Sequence, residues 1–148
     1  MGFPKEISTH EDLRCCHVWR SIGTHIWFEY GIPKIELLKN GRRTVHGELT
    51  LHVESDNWRL IVDGQCPLNS DTVSDGNFRA YGPSWFLDKP LPQFTDGSSK
   101  QVELSFSPSI SLIVFPDSSG DVDYELSIRL PDGTYWGFLF NRGWFLSS

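Results

Sequence analysis

Cysteine is scarce in this chain: Cys15, Cys16 and Cys66 are all it has. An odd count with one adjacent pair makes a poor disulfide framework. Methionine occurs once, and no richness in Ala, Leu, Glu and Lys suggests a helix bundle. No apolar run approaches the roughly 18 residues of a membrane helix. No basic-then-apolar leader opens the chain, and no Asn-x-Ser/Thr sequon occurs. Met1-Gly2 suggests myristoylation, but Glu6 stands where that pattern needs Ser or Thr. These absences fit a soluble protein of a reducing, cytoplasmic compartment. No repeat of about 20 to 50 residues recurs, which argues against solenoids and propellers.

Positive charge is also in short supply. Thirteen Lys and Arg face 19 Asp and Glu, for a net charge of −6. An acidic domain repels phosphate backbones and anionic lipids, which disfavours nucleic-acid and membrane binding. It favours a basic protein partner, mainly through faster encounter. Catalytic signatures are missing too: there is no Gly-x-Ser-x-Gly, P-loop, dinucleotide fingerprint or His-Glu-x-x-His. The sequence therefore assigns no catalytic residue, no cofactor and no metal.

What the chain does have is aromatic bulk and alternation. Six Trp and ten Phe let a core be built from few residues. The clearest stretch is Val122 to Phe140. Val122, Tyr124, Leu126, Ile128 and Leu130 alternate with Asp123, Glu125, Ser127 and Arg129, and Pro131-Asp132-Gly133 turns into a second aromatic run. That pattern predicts an antiparallel hairpin with one buried face. A second long strand is predicted from Val45 to Glu54, with His46, Glu48, Thr50, His52 and Glu54 on its wet face. Trp58 to Val62 returns from it. Further strands are expected at Cys16–Trp19, Thr24–Tyr30, Ile35–Leu38, Pro83–Asp88, Val102–Phe106, Ile110–Val114 and Gly143–Leu146. Asn40-Gly41 is a strong hairpin-turn signal.

Residues 1–13 read as a loosely held arm with a turn of helix near Thr9–Leu13. The segment from Cys66 to Gly82 is a loop or one short helix between Ser70 and Arg79. The expected architecture over residues 1–148 is one all-β domain, or a β-rich α+β domain with one short helix. Its antiparallel hairpins form a two-sheet sandwich or a barrel.

Two stretches carry a resemblance. Gly47-Glu48-Leu49-Thr50-Leu51-His52-Val53, followed by Asn57-Trp58-Arg59-Leu60, resembles the GEWHLWI…DWRI stretch of a family of small bacterial β-rich proteins. Leu126 to Gly133, with its Leu130-Pro131-Asp132-Gly133, resembles that family's WSLYLPDG stretch. Order and spacing agree over about two thirds of the chain. The family begins with a Gly-His-Gly-Ser turn where this chain has Ser21-Ile22-Gly23-Thr24, and it places a helix between its halves. Its members are similar to proteins carried beside toxin genes, so the resemblance implies an immunity or inhibitor role.

Three side-chain groups are candidates for chemistry. Spacing along an extended strand places His46 beside Glu48 and His52 beside Glu54 at about 6.5 Å, but separates the two His by about 20 Å. They cannot share one ion, and His17 or His25 would have to complete a site. Cys15 and His17 share a strand face, as a thiol and base would, although small core residues read the same way. Asp117, Asp121, Asp123 and Glu125 crowd one turn without EF-hand spacing. Trp58 and Trp136 fit the core.

The binding candidates are Trp27, Trp85 and Trp144 as anchors, with Glu48, Glu54, Asp121, Asp123 and Glu125 as the charged rim. The leading expectation is a non-catalytic protein-binding module, an intracellular immunity protein neutralising a bacterial toxin with a basic domain. A ligand-binding β-barrel and a metal-dependent hydrolase using His46 or His52 are the alternatives.

Overall fold

A computed structural model describes residues 2–21, 23–98 and 100–147. Two antiparallel sheets pack face to face, and the described residues are all-β but for two helices. In chain order the elements are α1 (Lys5–Ser8), β1 (Cys15–Arg20), β2 (Ile26–Tyr30), β3 (Lys34–Leu37), β4 (Arg43–His46), β5 (Leu49–Val53), β6 (Trp58–Val62) and β7 (Gln65–Asn69). They continue with α2 (Asp75–Phe86), β8 (Gln93–Ser98), β9 (Gln101–Ser107), β10 (Ile110–Val114), β11 (Leu126–Arg129), β12 (Tyr135–Leu139) and β13 (Gly143–Ser147). The first sheet runs β1-β2-β5-β11-β12-β13 and the second β7-β6-β10-β9-β8. Their end strands do not pair, so neither sheet closes and the architecture is a sandwich rather than a barrel. Strands β3 and β4 form a separate two-stranded hairpin.

The core follows from the period-two pattern. Phe28, Leu51 and Ile128 line up across the first sheet. Leu68, Leu60, Leu112, Leu104 and Phe94 line up across the second. All are buried. Rings bridge the layers: Phe28 lies 5.1 Å from Phe106, and Phe94 lies 5.3 Å from Phe138. Such tilted pairs add to the area they bury. Trp58 is 1 % exposed, and its indole N–H donates to the Thr24 carbonyl at 2.9 Å. Trp136 is half-buried against the same core.

Several local expectations give way. The stretch Pro83–Asp88 is not a strand. Helix α2 runs from Asp75 through Pro83 to Phe86, beyond the predicted limit at Arg79. A capping box starts it: the Ser74 hydroxyl accepts from the Asn77 N–H, and the Asn77 side chain accepts from the Ser74 N–H. Phe78 and Phe86 hold it down, with Phe86 4.9 Å from both Phe28 and Phe106. Segments read as loop become strands β7 and β8. Residues 2–13 are tied in by Ile7, fully buried, and by Phe3 stacked on Phe94. Their helical turn falls at Lys5–Ser8, not Thr9–Leu13.

The long strand from Val45 to Glu54 is broken at Gly47. A Cβ there would collide with the Tyr30 backbone, so only glycine lets the chain pass. Before the break β4 pairs with β3; after it β5 enters the first sheet between β2 and β11. The strand predicted from Val122 starts only at Leu126.

Candidate functional site

The outer face of the first sheet was expected to be wet. It is largely buried: Glu29, Thr50, His52 and Ser127 are all under a tenth exposed. Register explains the arrangement. One cross-strand row places Trp19, Trp27, His52, Ser127, Gly137 and Phe145 side by side. The next places His17, Glu29, Thr50, Arg129, Tyr135 and Ser147. Large rings in the rows shield the small polar groups between them.

Trp19 stacks on Trp27 with centroids 4.9 Å apart, and Trp27 stacks on His52 at 3.4 Å. Gly137 leaves room for Tyr124, which folds over it and hydrogen-bonds Ser147 at 2.5 Å. A recess of about 60 Å³ remains, lined chiefly by Trp27, Thr50, His52, Ser127, Arg129 and Tyr135. That is room for a water or two, not for a substrate.

Glu29 lies at the floor of this face and is fully buried. Its carboxylate accepts from the Gly47 N–H at 3.0 Å, the Thr50 hydroxyl at 2.5 Å and the Trp19 indole N–H at 3.2 Å. His46 Nδ1 approaches at 3.7 Å. Arg129 reaches the Thr50 hydroxyl at 3.2 Å. A buried carboxylate so fully bonded is a structural clamp, joining β1, β2 and β5.

His52 is the most perturbed base. Its Nε2 lies 3.0 Å from His25 Nδ1, and its Nδ1 lies 3.6 Å from Glu54 Oε2. Burial, aided by His25, holds its pKa down to about 3. Burial lifts the Glu54 carboxyl to about 7, with Asp123 adding to the rise and the Ser127 hydroxyl opposing it. Glu54 Oε2 is buried without a hydrogen-bond partner. At neutral pH His52 is thus uncharged, and Glu54 is poised between its two forms.

Glu54 opens onto an acidic corner. The Glu54 and Ser55 N–H groups both donate to the Glu125 carbonyl, tying the end of β5 to the loop before β11. The Asp56 N–H donates to Asp117 Oδ1 and the Ser118 N–H to Asp56 Oδ1, both at 2.8 Å. The Asp117 N–H donates to Glu125 Oε2 at 2.9 Å. Glu54, Asp56, Asp117 and Glu125 are therefore neighbours; Asp123 is close enough to raise Glu54, and the Asp121 N–H donates to the Ser119 hydroxyl, which in turn donates to Asp117. Among the described residues none of them forms an ion pair with Lys or Arg, and the one base within 4 Å of any of them is the uncharged His52, 3.6 Å from Glu54. Asp56, Asp121 and Asp123 are exposed.

Of the sequence candidates, Trp27, Glu54, Asp121, Asp123 and Glu125 come together at this corner. Glu125 is buried and braces the loop from within. Three candidates lie elsewhere. Glu48 accepts from the Ile32 N–H at 2.7 Å, at the root of the β3–β4 hairpin. Trp85 stacks on Tyr81 in α2. Trp144 packs on Phe3, Phe94 and Phe138 at the edge of the core.

His46 does not sit with Glu48 but faces Glu29 and Glu36. His25, not His17, completes the group around His52. Among the described residues, no group of three or more His, Cys, Asp or Glu is arranged to hold a metal ion. Cys15 and His17 are separated by a register shift, and burial pushes the Cys15 thiol up to about 12, so it is inert packing. Sequence reading missed Asp56, Ser127 and Tyr135. The phase of Ser127 in its strand was the available signal. Among the described residues no helix is long and apolar enough to cross a membrane.

No protein-family model, no curated protein and no solved structure matches the chain.

Proposed function

We propose that the chain is a non-catalytic protein-binding module of the immunity or inhibitor kind, and that its acidic corner beside Trp27 receives a basic protein domain. The observation that carries this reading is the corner itself. Six carboxylates lie together at the end of β5 and in the loop before β11 with no Lys or Arg paired to them among the described residues. Such a concentration of one sign repels itself in the free protein and is relieved when cations dock. The aromatic face next to it offers bulk for anchoring. The likeness of the Gly47–Leu60 and Leu126–Gly133 stretches to a family whose members are similar to proteins carried beside toxin genes supports the partner class.

The test immobilises the purified product of the neighbouring gene and measures association of this chain with it. Asp121→Lys with Asp123→Lys is expected to lower the association rate about tenfold at low salt, and to flatten its dependence on ionic strength. Coexpression should show loss of protection from the partner's toxicity in the same variant. An unchanged association rate and unchanged protection would sink the electrostatic reading; no binding by the wild-type chain would sink the role itself.

A further inference from the structure

The β3–β4 hairpin stands outside both sheets and is built the wrong way round for a solvated element. All four residues of β3 are exposed. Ile35 is 69 % and Leu37 73 % exposed, and Ile32 and Leu38 flank them in the open. Contiguous exposed aliphatics on a short strand mark a surface that is covered in use. The hairpin also reverses the charge of the molecule. Lys34, Lys39, Arg42 and Arg43 accompany a single acid, Glu36, whereas the rest of the chain carries nine cations against 18 acids.

The ladder settles which backbone groups are free. Cα partners are Lys34 with His46, Ile35 with Val45, Glu36 with Thr44 and Leu37 with Arg43. The Leu38 N–H donates to the Arg42 carbonyl at 2.7 Å, so Leu38–Arg42 is a hydrogen-bonded pair. Antiparallel pairs alternate, so Glu36 and Lys34 also point their backbone groups at β4. The N–H and C=O of Ile35 and Leu37 therefore face the open edge, and no backbone partner for them occurs among the described residues.

We propose that a second copy of this chain covers that edge, β3 pairing antiparallel with β3 about a two-fold axis through Ile35. In that register Ile35 faces Ile35 and exchanges both backbone hydrogen bonds with it. The Leu37 N–H of each copy meets the Pro33 carbonyl of the other. Proline has no N–H to offer, and this register leaves only one bond per Leu37–Pro33 pair unmade. Lys34 falls directly opposite Glu36 of the second copy, twice over, at the closer non-hydrogen-bonded spacing where charged side chains meet. Every alternative self-register that keeps the aliphatics on one face loses this match. Centring on Glu36, for example, opposes two carboxylates. The four-stranded ribbon so formed sets Ile35 and Leu37 of both copies side by side along its middle, where they pack on one another across the seam. The basic tip of each hairpin then lies toward the other copy's Gly31–Ile32, where Glu48 sits.

The test is sedimentation of the full chain over a range of concentrations. A reversible monomer–dimer equilibrium is expected. Glu36→Lys sets Lys against Lys at both crossings and should weaken the dimer about tenfold. Lys34→Glu combined with Glu36→Lys restores opposite charges and should restore the dimer. Asp121→Lys with Asp123→Lys should leave it unchanged, which separates this interface from the acidic corner. A chain that stays monomeric to about millimolar concentration overturns the proposal. So does a dimer indifferent to Glu36→Lys, or one that the double exchange fails to rescue. Far-ultraviolet circular dichroism on each variant confirms that the sandwich is intact.

Discussion

Glu54 and His52 are side chains whose protonation the fold sets against their solution habits. Glu54 is raised from an ordinary carboxyl value to about 7, chiefly by burial. The folded protein keeps its proton over a range in which the unfolded chain has lost it. Its contribution to stability is therefore full below about pH 4.5 and is lost as pH rises through about 7. His52 behaves in the opposite sense. Burial holds it to about 3, so the unfolded chain takes up a proton below about 6.5 that the folded one refuses, and stability falls as pH drops from there toward 3. Glu54→Gln should raise the melting temperature relative to wild type at pH 8 and do little at pH 4. A variant equally shifted at both pH values would show that Glu54 is not held protonated. Neither group was readable as perturbed from sequence. Strand spacing placed Glu54 beside His52, but the Trp27 ring that shields His52 arrives from a different strand.

Legibility was uneven among the elements, for a physical reason. Strands with one buried face show it in their own residues: β9 alternates buried residues with exposed or half-exposed ones along its whole length, as Val102 to Phe106 predicts. Strand β5 does not, because both its faces are covered and all five residues are buried. Its polar residues looked like a solvent face when they were the inside of a second, smaller packing layer. Helix α2 was illegible for another reason. Gly76, Gly82 and Pro83 are poor helix formers, and Gly82 interrupts the stripe that Phe78, Tyr81, Trp85 and Phe86 trace at helical spacing. Packing of Phe86 between Phe28 and Phe106 overrides that propensity. The capping box must then matter more than in a strong helix. Ser74→Ala should cost about 1 kcal/mol in urea unfolding, with the slope of the transition unchanged. A neutral substitution would mean that tertiary packing alone sets where α2 begins.

At the scale of the whole molecule, the hairpin looks like an addition to a complete sandwich. Tyr30 at the end of β2 and Leu49 at the start of β5 are direct ladder partners, so the 18 residues between them leave the sheet and return to the same place. Antiparallel neighbours need only a two-residue turn. The hairpin repays its insertion at few points: His46 approaches Glu29, and the Gly31–Ile32 end is held by Glu48. Its aliphatics add nothing to the core. Replacing residues 32–46 by Asn-Gly keeps Gly31, Gly47 and Glu48, and with them the Glu29 clamp through the Gly47 N–H. The shortened chain should keep its β-sheet circular dichroism and one cooperative unfolding transition. Its loss of stability should not exceed that of a single core truncation, about 2–5 kcal/mol. It should sediment as a monomer while retaining the association rate for a basic partner at the acidic corner. Loss of the cooperative transition would instead make the hairpin part of the folding unit, held through Glu29 and Glu48 rather than appended to the sheet.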